Sequence, residues 1–131
     1  RSLVLIDPSY EIKSDYPKVL AALRDGLKRF ATGTFLVWLP FLPSIEARSL
    51  PEKLRKLPAE WIFASLAVRG PATKGHGMHG SAMFVVNPPW TLRADLALCL
   101  PWLAEILAQD DQSTSSLTGS PTSNQPNPGK E

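Results

Sequence analysis

Asp7-Pro8-Ser9-Tyr10 combines, in four residues, a carboxylate, a conformationally fixed backbone carbonyl and an aromatic ring, directly after the apolar run Leu3-Val4-Leu5-Ile6. Open α/β sheets bind their ligands at the carboxyl ends of their strands, so the position adds weight to the residue types. Alone, such a tetrapeptide is ordinarily a strand-to-loop turn in which Pro sets φ and Asp bonds a nearby amide. The chemistry these groups fit together is attack by a weakly nucleophilic planar amine. The exocyclic amine of adenine has its lone pair delocalised into the ring. Two acceptors, the Asp7 carboxylate and the Pro8 carbonyl, each taking one N–H bond, favour a pyramidal nitrogen and stabilise the positive charge that develops during methyl transfer. Tyr10 is expected to stack on a base that has left its helix and hold it in line with the donor, with Ser9 as a further substrate contact.

Two other motifs compete for attention. Asn87-Pro88-Pro89-Trp90 carries an amide acceptor, a rigid Pro-Pro and an aromatic after an apolar run. It leads straight into a terminal helix, which argues for a structural turn with Trp90 packing and a lesser part in shaping a pocket. Gly75-His76-Gly77-Met78-His79-Gly80 spells G-x-G-x-x-G but precedes a strand instead of following one, and no acid lies about 20 residues on, so it is not a dinucleotide site. Its histidines are two metal ligands at most, and solvent-facing loop histidines are the expectation. The basic residues Arg24, Lys28, Arg29 and Arg48, Lys53, Arg55, Lys56 are ordinary solvated helix faces that an RNA enzyme can also use to steer phosphates.

The elements that must position these groups follow from periodicity. Leu3–Ile6 is a short strand. Val19, Leu20, Leu23, Leu27 and Phe30 recur at helical steps, with Ser14 as N-cap and Pro17 in the first turn. Thr34–Leu39 is a second strand, closed by Pro40 and Pro43. Ser49 and Glu52 stand in capping-box relation before a short amphipathic helix carrying Leu50, Leu54 and Leu57. Trp61–Val68 and Ala82–Val86 are two more strands, and with only a loop between them they are expected to pair antiparallel. A last helix follows Thr91 and contains Pro101, expected to kink it. Residues 110–131 are Ser, Thr, Pro, Asn, Gln and Gly with Leu117 as the one large apolar side chain, a composition that predicts a disordered tail.

Composition sets the outer limits. The 131 residues are 44% hydrophobic and 20% charged, ordinary for one globular unit. A net charge of +2 excludes a polybasic arm, although residues 1–109, with 13 basic and 9 acidic side chains, carry +4. One cysteine, Cys99, cannot form an internal disulfide, and no zinc spacing surrounds it, so no metal is expected. No membrane-length apolar stretch or signal peptide is present, and the expectation is a cytoplasmic protein. A chain that opens on Arg1 inside a buried-type strand is expected to be the later part of a longer one.

The runs Leu3-Val-Leu-Ile-Asp-Pro-Ser-Tyr-Glu-Ile-Lys-Ser-Asp-Tyr16, Lys28-Arg-Phe-Ala-Thr-Gly-Thr-Phe-Leu-Val-Trp38, and Gly77-Met78 before Met83-Phe-Val-Val-Asn-Pro-Pro-Trp90 together resemble the bacterial 23S rRNA (adenine(2030)-N6)-methyltransferases. The resemblance spans roughly residues 1–107. It implies an α/β fold, the C-terminal half of a Rossmann-like class I methyltransferase sheet with helices on both faces and an antiparallel last strand. Residues 1–109 would be the C-terminal part of the catalytic domain, without its N-terminal cofactor-binding half. The cofactor implied is S-adenosyl-L-methionine and the partner 23S rRNA, protein-free or in an early assembly state, with no membrane. In the family's D-P-P-Y motif, Asp7 matches the acid, also expected to contact the cofactor, Pro8 the carbonyl donor position and Tyr10 the stacking aromatic. Ser9 departs from the second proline, which affects loop rigidity and carbonyl aim. Methylation of adenine N6 in DNA, methylation of a glutamine amide, and a non-catalytic RNA-binding module are the alternatives.

Overall fold

Leu3–Ile6 (β1) alternates cleanly in the computed structural model, which describes residues 2–73 and 77–121: Val4 and Ile6 turn toward the core, and Leu3 and Leu5 turn away. After β1 the order is α1 (Asp15–Arg29), β2 (Thr34–Pro40), α2 (Ile45–Leu54), β3 (Trp61–Ala67), β4 (Gly80–Val86), α3 (Leu92–Ile106) and β5 (Thr114–Gly119). The strands form one mixed sheet in the order β1-β2-β4-β3-β5. β1 and β2 are parallel, in register Ile6 with Val37, as a strand-helix-strand crossover requires. The β2–β4, β3–β4 and β3–β5 pairs are antiparallel.

One face of the sheet buries Phe35, Val37 and Leu39 of β2 with Ala82, Phe84 and Val86 of β4 beneath Val19 and Leu23 of α1 and Leu50 and Leu54 of α2. Ile62, Ala64 and Val85 are buried but lie outside that cluster, as alternation along a strand demands, and α3 packs on β3 and β5. Helices thus cover both faces. The cover is incomplete on the α3 side: Leu3 and Leu5 of β1 are 71% and 61% exposed. The outer edge of β1 pairs with no strand among the described residues.

Several local expectations are corrected. Ser14 and Thr91 do precede α1 and α3, but neither side chain makes a capping bond. The capping box at Ser49 and Glu52 does not form. α2 begins earlier, where the Ser44 hydroxyl accepts the Ala47 N–H at 3.2 Å, and Ser49 donates to the Glu46 carbonyl. Pro51 therefore lies inside α2, and Pro101 lies inside α3 without ending it.

The disordered tail expected over residues 110–131 is overturned in its first half. Thr114–Gly119 adds to β3 as an edge strand, with Ala64 opposite Leu117 and Ser65 opposite Ser116. Such a strand needs little apolar burial, because the backbone ladder satisfies its peptides and its hydroxyls find partners. Ser65 and Ser116 hydroxyls meet at 2.6 Å, Ser120 accepts the Trp61 N–H at 2.9 Å, and Ser113 donates toward the Ala67 and Ala104 carbonyls. Composition alone does not register bonds of this kind. Residues 122–131 lie outside the described residues.

Candidate active site at the carboxyl end of the first strand

β1 stops at Ile6, and the chain leaves the sheet through Asp7 at the end where β2 also finishes. Asp7 is exposed, Pro8 is half-buried and Ser9 is exposed. Among the described residues neither the Asp7 carboxylate nor the Pro8 carbonyl has a hydrogen-bond or ion-pair partner. Two acceptors separated by a single peptide unit are therefore open to a ligand at the strand tip. The ordinary alternative, an Asp folded back onto a loop amide, is not what forms.

Tyr10 behaves differently from expectation. Its φ is 56°, a left-handed conformation rare for a bulky residue. That reversal swings the ring inward, where it is 5% exposed, with ring centroids 4.9 Å from Tyr16 and 6.2 Å from Trp38. Its hydroxyl donates to the Trp38 carbonyl at 2.7 Å. Trp38 is the first β2 residue beyond the β1 ladder, so the phenol occupies an acceptor where strand pairing has ended. The expected role of Tyr10 as an exposed stacking surface is corrected in this arrangement, since no face of the ring is free. Burial, foremost, and then the neighbouring Tyr16, Asp7 and Asp15 push its phenol well above the ordinary tyrosine range.

A second tie fixes the loop beyond the motif. Lys13 pairs with Glu46 in the first turn of α2 at 3.2 Å. The Glu46 carboxyl is held below the usual range, first by its own backbone N–H and then by Lys13. The motif loop is thus fastened to β2 by a phenol and to α2 by an exposed ion pair.

Asn87-Pro88-Pro89-Trp90 lies at the other end of the sheet. β4 runs antiparallel to β2, with Val86 opposite Phe35, so the segment after Val86 emerges where β2 begins. There Asn87, at φ 51°, donates from its amide to the carbonyls of Ala31 and Gly33 at 2.8 and 2.9 Å, and its own carbonyl accepts from the Thr34 hydroxyl. It clasps the α1–β2 turn, a structural task, whereas Trp90 is 91% exposed and does not pack as expected. Of the glycine-rich segment, Gly75 and His76 lie outside the described residues. His79 is not a solvent-facing loop residue: it is half-buried, its ring 5.6 Å from Phe41.

Among the basic residues, Arg29 pairs with Asp25 and Arg55 with Glu52. The Arg55 guanidinium also covers the rings of Trp61 and Phe63 at 5.5 and 5.1 Å, a packing role the sequence pattern does not reveal. Among the described residues no group of three or more His, Cys, Asp or Glu is placed to hold a metal. No helix among them is long and apolar enough to cross a membrane.

The family model and the curated relatives point to one family. The profile described as "Ribosomal RNA large subunit methyltransferase D, RlmJ" matches residues 1–118. The chain is 41% identical over 111 residues to the ribosomal RNA large subunit methyltransferase J of Haemophilus influenzae, covering 84% of this chain and 39% of that protein. It is 37% identical over 103 residues to the Escherichia coli protein of the same name, covering 79% of this chain and 37% of that protein. A crystal structure of a Legionella pneumophila protein superposes with a TM-score of 0.81 at 25% identity, over 92% of this chain and 44% of that one. The chain therefore spans well under half the length of these relatives.

Proposed function

Since the chain belongs to the RlmJ family of large-subunit ribosomal RNA methyltransferases, we propose that it is the C-terminal, amine-activating part of an enzyme that methylates N6 of an adenine in 23S rRNA, adenine 2030 in the family it resembles. The observation that carries this reading is the pair of open acceptors, Asp7 carboxylate and Pro8 carbonyl, at the carboxyl end of β1. Each accepts one N–H of the adenine amine, drawing its lone pair out of conjugation and stabilising the cationic nitrogen formed in the transfer. Tyr10 acts as a positioning residue: its hydroxyl on Trp38 and its inward ring set where the loop carrying both acceptors turns. Ser9, exposed between Pro8 and Tyr10, stands where a substrate contact is available.

S-adenosylmethionine would supply the methyl group, carried on a sulfonium. We infer that Asp7 contributes at most one contact to its site and that the rest of that site lies outside the described residues. Among them no strand runs through a glycine-rich turn into a helix, the arrangement that holds such a cofactor in open α/β sheets. We place that arrangement in the portion of the relatives' length that this chain does not span. The unpaired edge of β1 and the exposed Leu3 and Leu5 are where that portion would join the sheet, completing a Rossmann-like layer.

The test is methyl transfer by the full-length enzyme this reading implies, offered undermethylated 23S rRNA, duplex DNA and a glutamine-containing release factor in parallel. Label in the rRNA adenine alone is expected. Label only in DNA or in the glutamine amide transfers the same mechanism to another planar amine, and label in none points to a non-catalytic RNA-binding module.

A further inference from the structure

A cavity of about 510 Å3 opens at the same sheet end as the motif, between the end of β2, the first turns of α2 and the segment leading into β4. Its size is that of a small-ligand pocket. Pro40, Phe41, Pro43, Arg48, Pro51 and His79 contribute to its walls. The walls are held to the motif from two sides. Pro40 and Phe41 continue the strand whose Trp38 carbonyl takes the Tyr10 hydroxyl, and α2 is tied to the motif loop through Glu46 and Lys13. The Phe41 N–H donates to the Gly80 carbonyl at 2.9 Å, which docks Phe41 against the start of β4 and brings it to His79. Gly80 itself lies tight against β3, where a Cβ would sit 2.5 Å from the Leu66 carbonyl oxygen and 2.6 Å from the Ala67 Cα.

The chemistry of the lining is that of a base and a phosphate. Two half-buried rings, Phe41 and His79, are tilted 42° to each other against proline walls, and planar heteroaromatic rings stack on such surfaces whatever their sequence. The guanidinium of Arg48, exposed at the same cavity, has no hydrogen-bond or ion-pair partner among the described residues. The acid beside it, Glu52, is engaged by Arg55. An unpaired guanidinium next to an aromatic, apolar cavity complements a nucleotide, phosphate on the rim and base inside. Asp7 and Pro8 are not among the lining residues, so the occupant is a neighbour of the reacting base.

We propose that this cavity is an RNA subsite that takes the base of a nucleotide flanking the target adenine, stacked on Phe41 and His79 with its phosphate on Arg48. The proposal rests on the reading of the chain as part of an rRNA adenine methyltransferase. The buried Tyr10 gives it a purpose, because stacking surface absent at the motif is present one strand away.

Steady-state kinetics of the full-length enzyme on an RNA fragment containing the target adenine tests it, with fragments made abasic in turn at each nucleotide within three of the target. Phe41→Ala and His79→Ala are each expected to raise KM about tenfold, the scale of losing one base–aromatic stack, with kcat within about twofold. Phe41→Tyr and His79→Phe, which keep a ring, should restore KM and thereby exclude misfolding as the cause. One abasic position should raise KM for the wild type and have no further effect in Phe41→Ala. Unchanged KM in both alanine variants, or abasic penalties as large in the variants as in the wild type, overturns the subsite while methyl transfer persists. Absence of methyl transfer by the wild type instead removes the reading on which it depends.

Discussion

Tyr10 holds a left-handed backbone, a buried ring and a hydroxyl bond to Trp38 at once. A residue in that conformation persists only where its surroundings over-determine it, and such residues gather at functional sites. Replacing it by Phe keeps the ring and orphans the Trp38 carbonyl, so Tyr10→Phe should lower stability by about 1–3 kcal/mol, read from urea midpoints. The same bond has a pH signature. The unfolded chain loses the phenolic proton near pH 10, whereas the folded one keeps it to higher pH. The unfolded state then binds fewer protons, so stability falls as pH rises beyond about 10. Urea midpoints between pH 8 and 11 should drop more steeply for the wild type than for Tyr10→Phe, and parallel curves would contradict the assignment. Sequence reasoning identified the members of the motif but not the direction of Tyr10, because a positive φ at a non-glycine residue leaves no mark in residue type.

At the scale of elements, periodicity located β1 to β4 and the three helices, since each buries a stripe or a face that repeats along the chain. It misjudged what is held by hydrogen bonds instead of by apolar contact. The strand Thr114–Gly119 is polar and rests on β3, and the start of α2 is set by Ser44, upstream of the more conspicuous Ser49 and Glu52 pair. Phe41 and His79 are 38 positions apart, and nothing local announces their meeting. The sheet's mixed direction also decides between two similar words: D-P-S-Y and N-P-P-W close strands at opposite ends, so only the first can join a site at the carboxyl end of β1. Asn87→Ala removes both amide bonds to the α1–β2 turn and places Ala at φ 51°, and should cost about 1–3 kcal/mol in a denaturation experiment. The kcat of the full-length enzyme should stay unchanged, which separates a turn clasp from a catalytic residue.

As a whole, the molecule is an α/β sheet with one finished face and one unfinished edge. Leu3 and Leu5 of β1 and Leu98, Trp102 and Ile106 of α3 are exposed large apolar side chains. On the proposed reading, the described residues offer the amine-activating acceptors and the cradle for the methyl donor lies in the length of the relatives that this chain does not span. Calorimetry with S-adenosylmethionine should accordingly detect no micromolar binding to the 131-residue chain, whereas the full-length enzyme should bind. Micromolar binding to the chain alone would show that a donor site exists among these residues after all.

The assignment of Asp7 is tested most directly by Asp7→Ala in the full-length enzyme, assayed for methyl transfer to undermethylated 23S rRNA at saturating RNA. Loss of one preorganised acceptor should reduce kcat by the equivalent of about 2–4 kcal/mol, with RNA affinity nearly unchanged. Wild-type turnover in Asp7→Ala would contradict the account, because the open carboxylate at the tip of β1 would then be an ordinary turn residue.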